Sequence, residues 1–300
     1  MTSGNSQGLR IGFVGLGRMG RPMSARLAAA GYHVAGYDVS GEARRQASVL
    51  GVVEAATLGD VARGCDVLVL MLPGSEAVEG VLAEPTLLHS LSRGALVVDM
   101  SSSQPLRTRE VAASLASRGF RMLDAPVSGG VSGAQAGTLT IMVGGDPADL
   151  AAVRPCLEVL GRVVHTGAIG SGHAVKALNN LLSATHLWVT SEAMVAGQRF
   201  GIDPKVMLEV FNTSSGRSGS TDNKWPNFIL TGTFDSGFGL SLMIKDIKIA
   251  VELAQQVGAP SLLGPEVLDL WARAAGDLPS GADHTEVAKW LLAEGATYAS

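Results

Sequence analysis

Cysteine is nearly absent from the 300-residue chain: Cys65 and Cys156 stand far apart, each in an apolar context. Two such residues make no disulfide framework, and neither has the paired spacing of a structural zinc site. No metal centre is expected, and a reducing cytoplasm is the compartment that fits. Aromatic residues are few, at 5%, and the charged residues, at 17%, include no run of lysine or arginine and sum to -4. That balance excludes the electrostatic footprint of nucleic-acid binding or of an anionic membrane surface. A transmembrane span is excluded too, because the most apolar helical stretch carries Lys176, His186 and Glu192, whereas a span needs about 20 mainly apolar residues. Met1 to Gly8 is short and polar, and the first apolar run already reads as a strand, so no secretory signal is expected.

What remains is a composition 46% hydrophobic, ample for a substantial core in one large domain or two ordinary ones. The expected partners are small molecules and other copies of the same chain. Arg10 to Val14 reads as a short strand, followed at once by Gly15-Leu16-Gly17-Arg18-Met19-Gly20 and an alanine-rich helical stretch to Ala30. This places G-x-G-x-x-G where a dinucleotide requires it. Gly15 permits the tight turn, Gly17 lets a pyrophosphate approach the backbone, and Gly20 lets helix and strand pack closely. The phosphates then meet the positive end of a helix.

A second strand, Tyr32 to Tyr37, ends at Asp38, where a ribose-reading carboxylate belongs. Its charge would repel a 2′-phosphate, so NAD is expected as the preferred cofactor. Arg44 and Arg45 lie close by in sequence and leave NADP possible. The alternative for Asp38 is a turn or helix cap ahead of Ser40-Gly41.

Strand and helix continue to alternate. Asp66 to Met71 reads as a buried strand before the turn Leu72-Pro73-Gly74, and Ala95 to Asp99 as another before Met100-Ser101-Ser102-Ser103. Open parallel sheets bind ligands at such strand ends, although these serines can also cap the next helix. Leu123 to Gly137 is dense in glycine and serine and includes Ser128, Gly129 and Gly130. Exposed N–H groups and hydroxyls there suit a carboxylate or phosphate, while composition alone also allows an ordinary hairpin loop. Strands are expected over Thr138 to Val143 and Arg162 to Thr166, with a helix capped by Asp146-Pro147 between them.

The stretch from Gly170 to about Phe200 reads as one long helix. Between Ala174 and Val195 the spacing of Val175, Leu178, Leu181, Leu182, Trp188, Val189 and Met194 suggests packing on more than one side. Lys176 and Asn180, one turn apart, share a face near its start. Lys176 can be a solvated residue that snorkels. Buried on this apolar segment, a lysine would lose part of its preference for the charged form and could exchange a proton near neutral pH. After Phe200 the strand signals stop. Asp203 to Phe211, Asn223 to Leu230, Leu240 to Val257, Pro265 to Ala275 and Asp283 to Ala293 all read as helices. The expected architecture is therefore α/β: a Rossmann-type, mostly parallel sheet domain over 1–169, then an all-α domain over 170–300, with 170–200 as the linking helix.

Four motifs in this order resemble the β-hydroxyacid dehydrogenases typified by 3-hydroxyisobutyrate dehydrogenase. They are G-L-G-R-M-G at Gly15 to Gly20, D-A-P-V-S-G-G-V-S-G-A-Q-A-G at Asp124 to Gly137, G-S-G-H-A-V-K-A-L-N-N at Gly170 to Asn180, and K-D at Lys245-Asp246. The resemblance covers nearly the whole chain. It implies that Lys176 is the catalytic acid/base, that Asn180 fixes the substrate beside it, and that Ser128, Gly129 and Gly130 bind its carboxylate. It further implies that Leu72, Pro73 and Ser102 contact the cofactor and that Lys245 closes over the nicotinamide end. Ser102 stands where threonine is common in relatives, and keeps the hydroxyl.

The expected function is interconversion of a small β-hydroxy acid and its semialdehyde or keto acid by hydride transfer. Lys176 argues against the related imine reductases, which usually carry aspartate or tyrosine in its place. An NADPH-dependent carbonyl or imine reductase and a non-catalytic NAD-binding module are the alternatives. His173, one turn before Lys176, is a rival base. Arg217, in the small polar stretch Asn212 to Ser220, is a candidate for binding a second anionic group or a polyhydroxylated chain on the substrate; a solvent-exposed loop arginine is the other reading. A homodimer or homotetramer through the helical domain is expected.

Overall fold

The computed structural model describes residues 8–297, and the polar lead-in expected before them lies outside that range. The chain divides into two compact units, Met1–Lys176 and Ala177–Ser300.

The first unit alternates strand and helix. It runs β1 (Arg10–Val14), α1 (Gly20–Ala29), β2 (His33–Tyr37), α2 (Gly41–Ser48), β3 (Val53–Glu54), α3 (Leu58–Ala62), β4 (Val67–Leu70), α4 (Ser75–Ala83), α5 (Pro85–Ser90), β5 (Leu96–Asp99), α6 (Pro105–Ser117) and β6 (Arg121–Asp124). It ends with β7 (Val127–Ser128), α7 (Gly130–Ala136), β8 (Leu139–Gly144), α8 (Pro147–Glu158) and β9 (Gly161–Gly167). The sheet order is β3-β2-β1-β4-β5-β6-β8-β7, with β9 pairing β8. Every pair from β3 to β6 is parallel, whereas β8 runs antiparallel to β6 and β7 and parallel to β9. The order reverses between β1 and β4, which is where an open α/β sheet binds its ligand.

Side-chain alternation explains why these strands are apolar throughout. Ile11, Phe13, Val67, Val69, Leu96 and Val98 enter one core cluster, and Val14, Leu68, Leu70 and Val97 enter a second. Both faces are buried under helices, so neither face of the strands is polar.

The second unit is helical. The long helix α9 (Ser171–Phe200) leads into it and is followed by α10 (Pro204–Asn212), a π-helix (Ser220–Ile229), α11 (Leu240–Gln256), α12 (Leu263–Asp277) and α13 (Glu286–Thr297). Its core gathers Leu187, Trp188, Met194, Trp225, Met243, Ile247 and Trp271. The Trp188 ring lies 6.2 Å from that of Trp271 and 5.9 Å from that of Trp290.

Three details differ from the sequence expectation. Val175, Leu178, Leu182 and Val189 of α9 are 41–59% exposed, so the helix is not packed all round. They form one stripe, on the side away from Lys176, Asn180 and Leu187. The glycine-rich stretch after Asp124 is not a plain loop, because Val127–Ser128 pairs with β8 and Gly130–Ala136 is helical. The helix expected from Asn223 is instead a π-helix containing Pro226, in which Leu230 N bonds five residues back to Trp225 O.

Candidate active site

The glycine turn between β1 and α1 is shaped by what surrounds each glycine. Gly15 has φ +96°, and a Cβ there would stand 2.2 Å from Met71 O; a Cβ at Gly20 would stand 1.8 Å from Gly15 O. Only glycine fits at either position. A Cβ at Gly17 would meet nothing within 4 Å, and Gly17 and Arg18 are exposed while Leu16 and Gly20 are buried. The N-terminus of α1 at Met19 has no side-chain cap. An uncapped helix start beneath an open glycine is a place where backbone N–H groups and the helix dipole can receive phosphate. The residues present thus fit a dinucleotide.

Asp38 follows β2, and both carboxylate oxygens are engaged. Oδ2 accepts from Leu16 N and Oδ1 from Ser40 N, each at 2.8 Å. Ser40, not Asp38, caps α2, by accepting from Ala43 N. Arg44 donates to Asp38 O at 2.6 Å and to Glu54 at 3.2 Å, with its guanidinium 5.7 Å from the centre of the Tyr37 ring. Leu72 and Pro73 follow β4; Leu72 N donates to Ser101 Oγ at 2.9 Å. Ser102 follows β5, between Ser101 and Ser103, which hydrogen-bond to Asp99. Because β1, β2, β4 and β5 are parallel, Gly15, Asp38, Leu72 and Ser102 all lie beyond the carboxyl ends of these strands.

Ser128 ends β7 opposite Thr140, and Gly129 and Gly130 have φ +128° and +62° as α7 begins. Asp124, fully buried before them, has a task that spacing did not reveal. Its carboxylate accepts from Gly170 N at 2.7 Å and from His173 N at 2.8 Å, fastening the start of α9 to the sheet. His173, at 1% exposure, has Nδ1 2.9 Å from Thr108 Oγ1 and Nε2 3.1 Å from Ser101 O. Both ring nitrogens of His173 are thus engaged inside the protein.

Lys176 and Asn180 are buried at 8% and 5% exposure and lie one turn apart on α9. In the helical unit, Asn180 Nδ2 donates to Asp246 Oδ2 at 2.6 Å, and Asn180 Oδ1 accepts from Asn179 Nδ2 at 3.2 Å. A carboxylate only accepts, so Asp246 fixes which way the Asn180 amide points. Lys245 Nζ is 3.5 Å from Asp246 Oδ1. Asp246 carried a sequence signal: it occupies the core-facing register of α11 with Met243, Ile247 and Ala250. Arg217 is placed at the surface, 63% exposed and paired with Asp222 at 3.0 Å. Among the described residues, no three His, Cys, Asp or Glu side chains gather as a metal would require, and no helix is long and apolar enough to cross a membrane.

A Rossmann sheet with an uncapped glycine turn, joined to a helix bearing a buried lysine, is an arrangement that suits a nucleotide-dependent oxidoreductase. Residues 10–170 match the family described as the NAD binding domain of 6-phosphogluconate dehydrogenase, and residues 170–291 that described as the NAD-binding domain of NADP-dependent 3-hydroxyisobutyrate dehydrogenase. An NAD-dependent L-serine dehydrogenase of Pseudomonas aeruginosa is 39% identical over 87% of this chain and 91% of its own. A 2-(hydroxymethyl)glutarate dehydrogenase of Eubacterium barkeri is 39% identical over 84% of each chain. The solved structure of Mycobacterium tuberculosis 3-hydroxyisobutyrate dehydrogenase with L-serine superposes with a TM-score of 0.89 at 34% identity, over 94% of this chain and 99% of that one. The chain belongs to the β-hydroxyacid dehydrogenase family typified by 3-hydroxyisobutyrate dehydrogenase, NAD-dependent oxidoreductases that act on the CH–OH group of a β-hydroxy acid.

Proposed function

We propose that the chain interconverts a small β-hydroxy acid and its semialdehyde or keto acid, with Lys176 as acid/base. The observation that carries this reading is the burial of Lys176 beside an Asn180 whose amide is aimed by Asp246. In oxidation, neutral Lys176 Nζ takes the hydroxyl proton; in reduction, its ammonium form donates toward the carbonyl oxygen. Asn180 holds the same oxygen, and Ser128 with the backbone of Gly129 and Gly130 receives the substrate carboxylate. NAD supplies the hydride acceptor when bound. Gly15, Leu16, Gly17, Arg18, Met19 and Gly20 would hold its pyrophosphate, Asp38 its ribose, and Leu72, Pro73, Ser102 and Lys245 the remainder. Arg44, already drawn to Asp38 O and the Tyr37 face, gives the adenosine end a cation that leaves NADP usable.

The nucleotide role falls to residues 1–169, and the substrate and dimerisation role to 170–300. Arg217 is assigned to a second polar group on the substrate on condition that it leaves Asp222; a rise in KM for the best substrate in Arg217→Ala, with KM for NAD spared, would support that. A homodimer or homotetramer through the helical domain is supported by the exposed Val175, Leu178, Leu182 and Val189 stripe. Light scattering of Leu182→Glu against the parent tests it. A cytoplasmic location is proposed from the cysteine usage. The experiment that decides the main reading is NADH and NADPH formation with 3-hydroxyisobutyrate, L-serine, 2-(hydroxymethyl)glutarate and glycerate. Turnover of none of them overturns it.

A further inference from the structure

The α9 face that bears Lys176 and Asn180 continues with Ser183, since residues three and four apart stand above one another. Ser183 is half-buried, and its Oγ accepts a hydrogen bond from Lys224 Nζ at 2.6 Å. Lys224 belongs to the π-helix, whose Trp225 and Ile229 are buried in the core of the helical unit. Those anchors follow Lys224, and Ser220 and Thr221, buried before it, hold the other side of the segment. Its charge is also felt by His284, 3% exposed: burial is the main reason that this ring is held toward its neutral form, and the Lys224 ammonium adds to it.

Arg217 and Lys224, seven residues apart in sequence, are placed differently. Arg217 pairs with Asp222 at the surface, whereas Lys224 reaches α9. Accepting from Lys224 leaves the Ser183 hydroxyl hydrogen to donate. An ammonium and a hydroxyl donor side by side suit a carboxylate, which offers acceptors only. At about 1.5 Å per residue, Ser183 lies about 4.5 Å along the helix from Asn180 and about 10 Å from Lys176. A substrate reacting at Lys176 and Asn180 would bring the end of a two- or three-carbon side chain to that point.

We infer that Lys224 and Ser183 form a subsite for a second carboxylate, so that the chain favours a β-hydroxy acid whose C2 substituent ends in an acid over one whose substituent is a methyl or an amine. This rests on the function proposed above. The test is kcat and KM for 2-(hydroxymethyl)glutarate, 3-hydroxyisobutyrate and L-serine in the parent, Lys224→Met, Lys224→Arg and Ser183→Ala. The diacid-to-monoacid ratio of kcat/KM should fall about 10–100-fold in Lys224→Met, chiefly through KM, recover in part in Lys224→Arg, and fall several-fold in Ser183→Ala. A ratio unchanged in Lys224→Met, or loss of all substrates alike, overturns the inference. If Lys224→Met does not fold, Lys224→Arg and Ser183→Ala decide it by the same ratio. Should the parent oxidise none of the three acids, the subsite is read by titrating glutarate into the NADH-loaded protein, and the function proposal fails by itself only if glycerate is not oxidised either. Binding at least 10-fold weaker in Lys224→Met then supports the subsite; equal binding, or none in the parent, overturns it.

Discussion

The side chain of Asp38 and the backbone of Leu16 are joined by a 2.8 Å hydrogen bond, so the residue proposed to read the ribose also braces the glycine turn. Asp38→Ala removes a ribose acceptor, the repulsion of a 2′-phosphate and that brace together. The preference for NAD over NADP should fall by about tenfold or more, and KM for both nucleotides should rise. Initial rates with each cofactor at saturating substrate measure it. An unchanged ratio of kcat/KM for NAD and NADP would show that Asp38 does not read the ribose.

Removal of the Lys176 amine takes away the proposed proton-transfer group. Lys176→Ala should lose about 10²–10⁴ in kcat, while fluorescence titration with NADH shows similar affinity. Turnover close to that of the parent would exclude Lys176 as the acid/base.

The Asn180–Asp246 bond separates orientation from chemistry. In Asp246→Asn an amide replaces the carboxylate and can donate as well as accept, so the direction of the Asn180 amide is no longer imposed. We expect kcat/KM for the hydroxy acid to drop about 10–100-fold, as when the supporting shell of a site is lost, with NADH affinity preserved. If substrate kinetics do not move, the bond has no part in positioning Asn180.

How far the sequence could be read depended on how locally each feature is determined. The glycine turn was legible because backbone approaches to Met71 and Gly15 leave no alternative residue at Gly15 and Gly20. The parallel strands were legible because burial on both faces turns Val67–Leu70 and Leu96–Asp99 into unbroken apolar runs. Periodicity found α9 but could not say what covers each side, hence the exposed Leu182 and Val189. Gly130–Ala136 is a helix that propensity disfavours, held by its place between β7 and β8. The direction taken by a long side chain is set by distant packing, which is why Arg217 drew notice and Lys224 did not.

Both thiols should be inert in the native protein. Burial pushes the Cys65 thiol up to about 11 and the Cys156 thiol up to about 12. At pH 8 the Cys65 thiolate fraction is about 10⁻³, and the buried side chain is out of reach of a reagent. A disulfide reagent should label neither residue on the timescale of the assay and both after denaturation. Rapid labelling of the folded enzyme would contradict the burial of Cys65 and Cys156.

Acid sensitivity of the helical unit follows from Asp283 and His284. Burial raises the Asp283 pKa, but hydrogen bonds involving His284, Thr285 and Ser236 outweigh it and hold the carboxyl well below the usual range. Burial first, and then the Lys224 charge, lower His284 against the opposing pull of Asp283. With neutral His284, Nδ1–H donates to Phe238 O at 3.1 Å, and Nε2 is buried with no partner. A group whose folded pKa is depressed binds its proton later in the native than in the unfolded chain, so its contribution is present above the unfolded pKa and fades as pH falls. For His284 the fading begins near an unfolded value of about 6.5, and for Asp283 near about 3.9. Replacing His284 by Phe removes the first contribution and the bond to Phe238 O. The loss of Tm in His284→Phe should therefore be greatest near pH 7.5 and shrink by pH 5, as followed by circular dichroism across that range. A gap between parent and mutant that stays constant with pH would show that the ring is not held neutral by the fold.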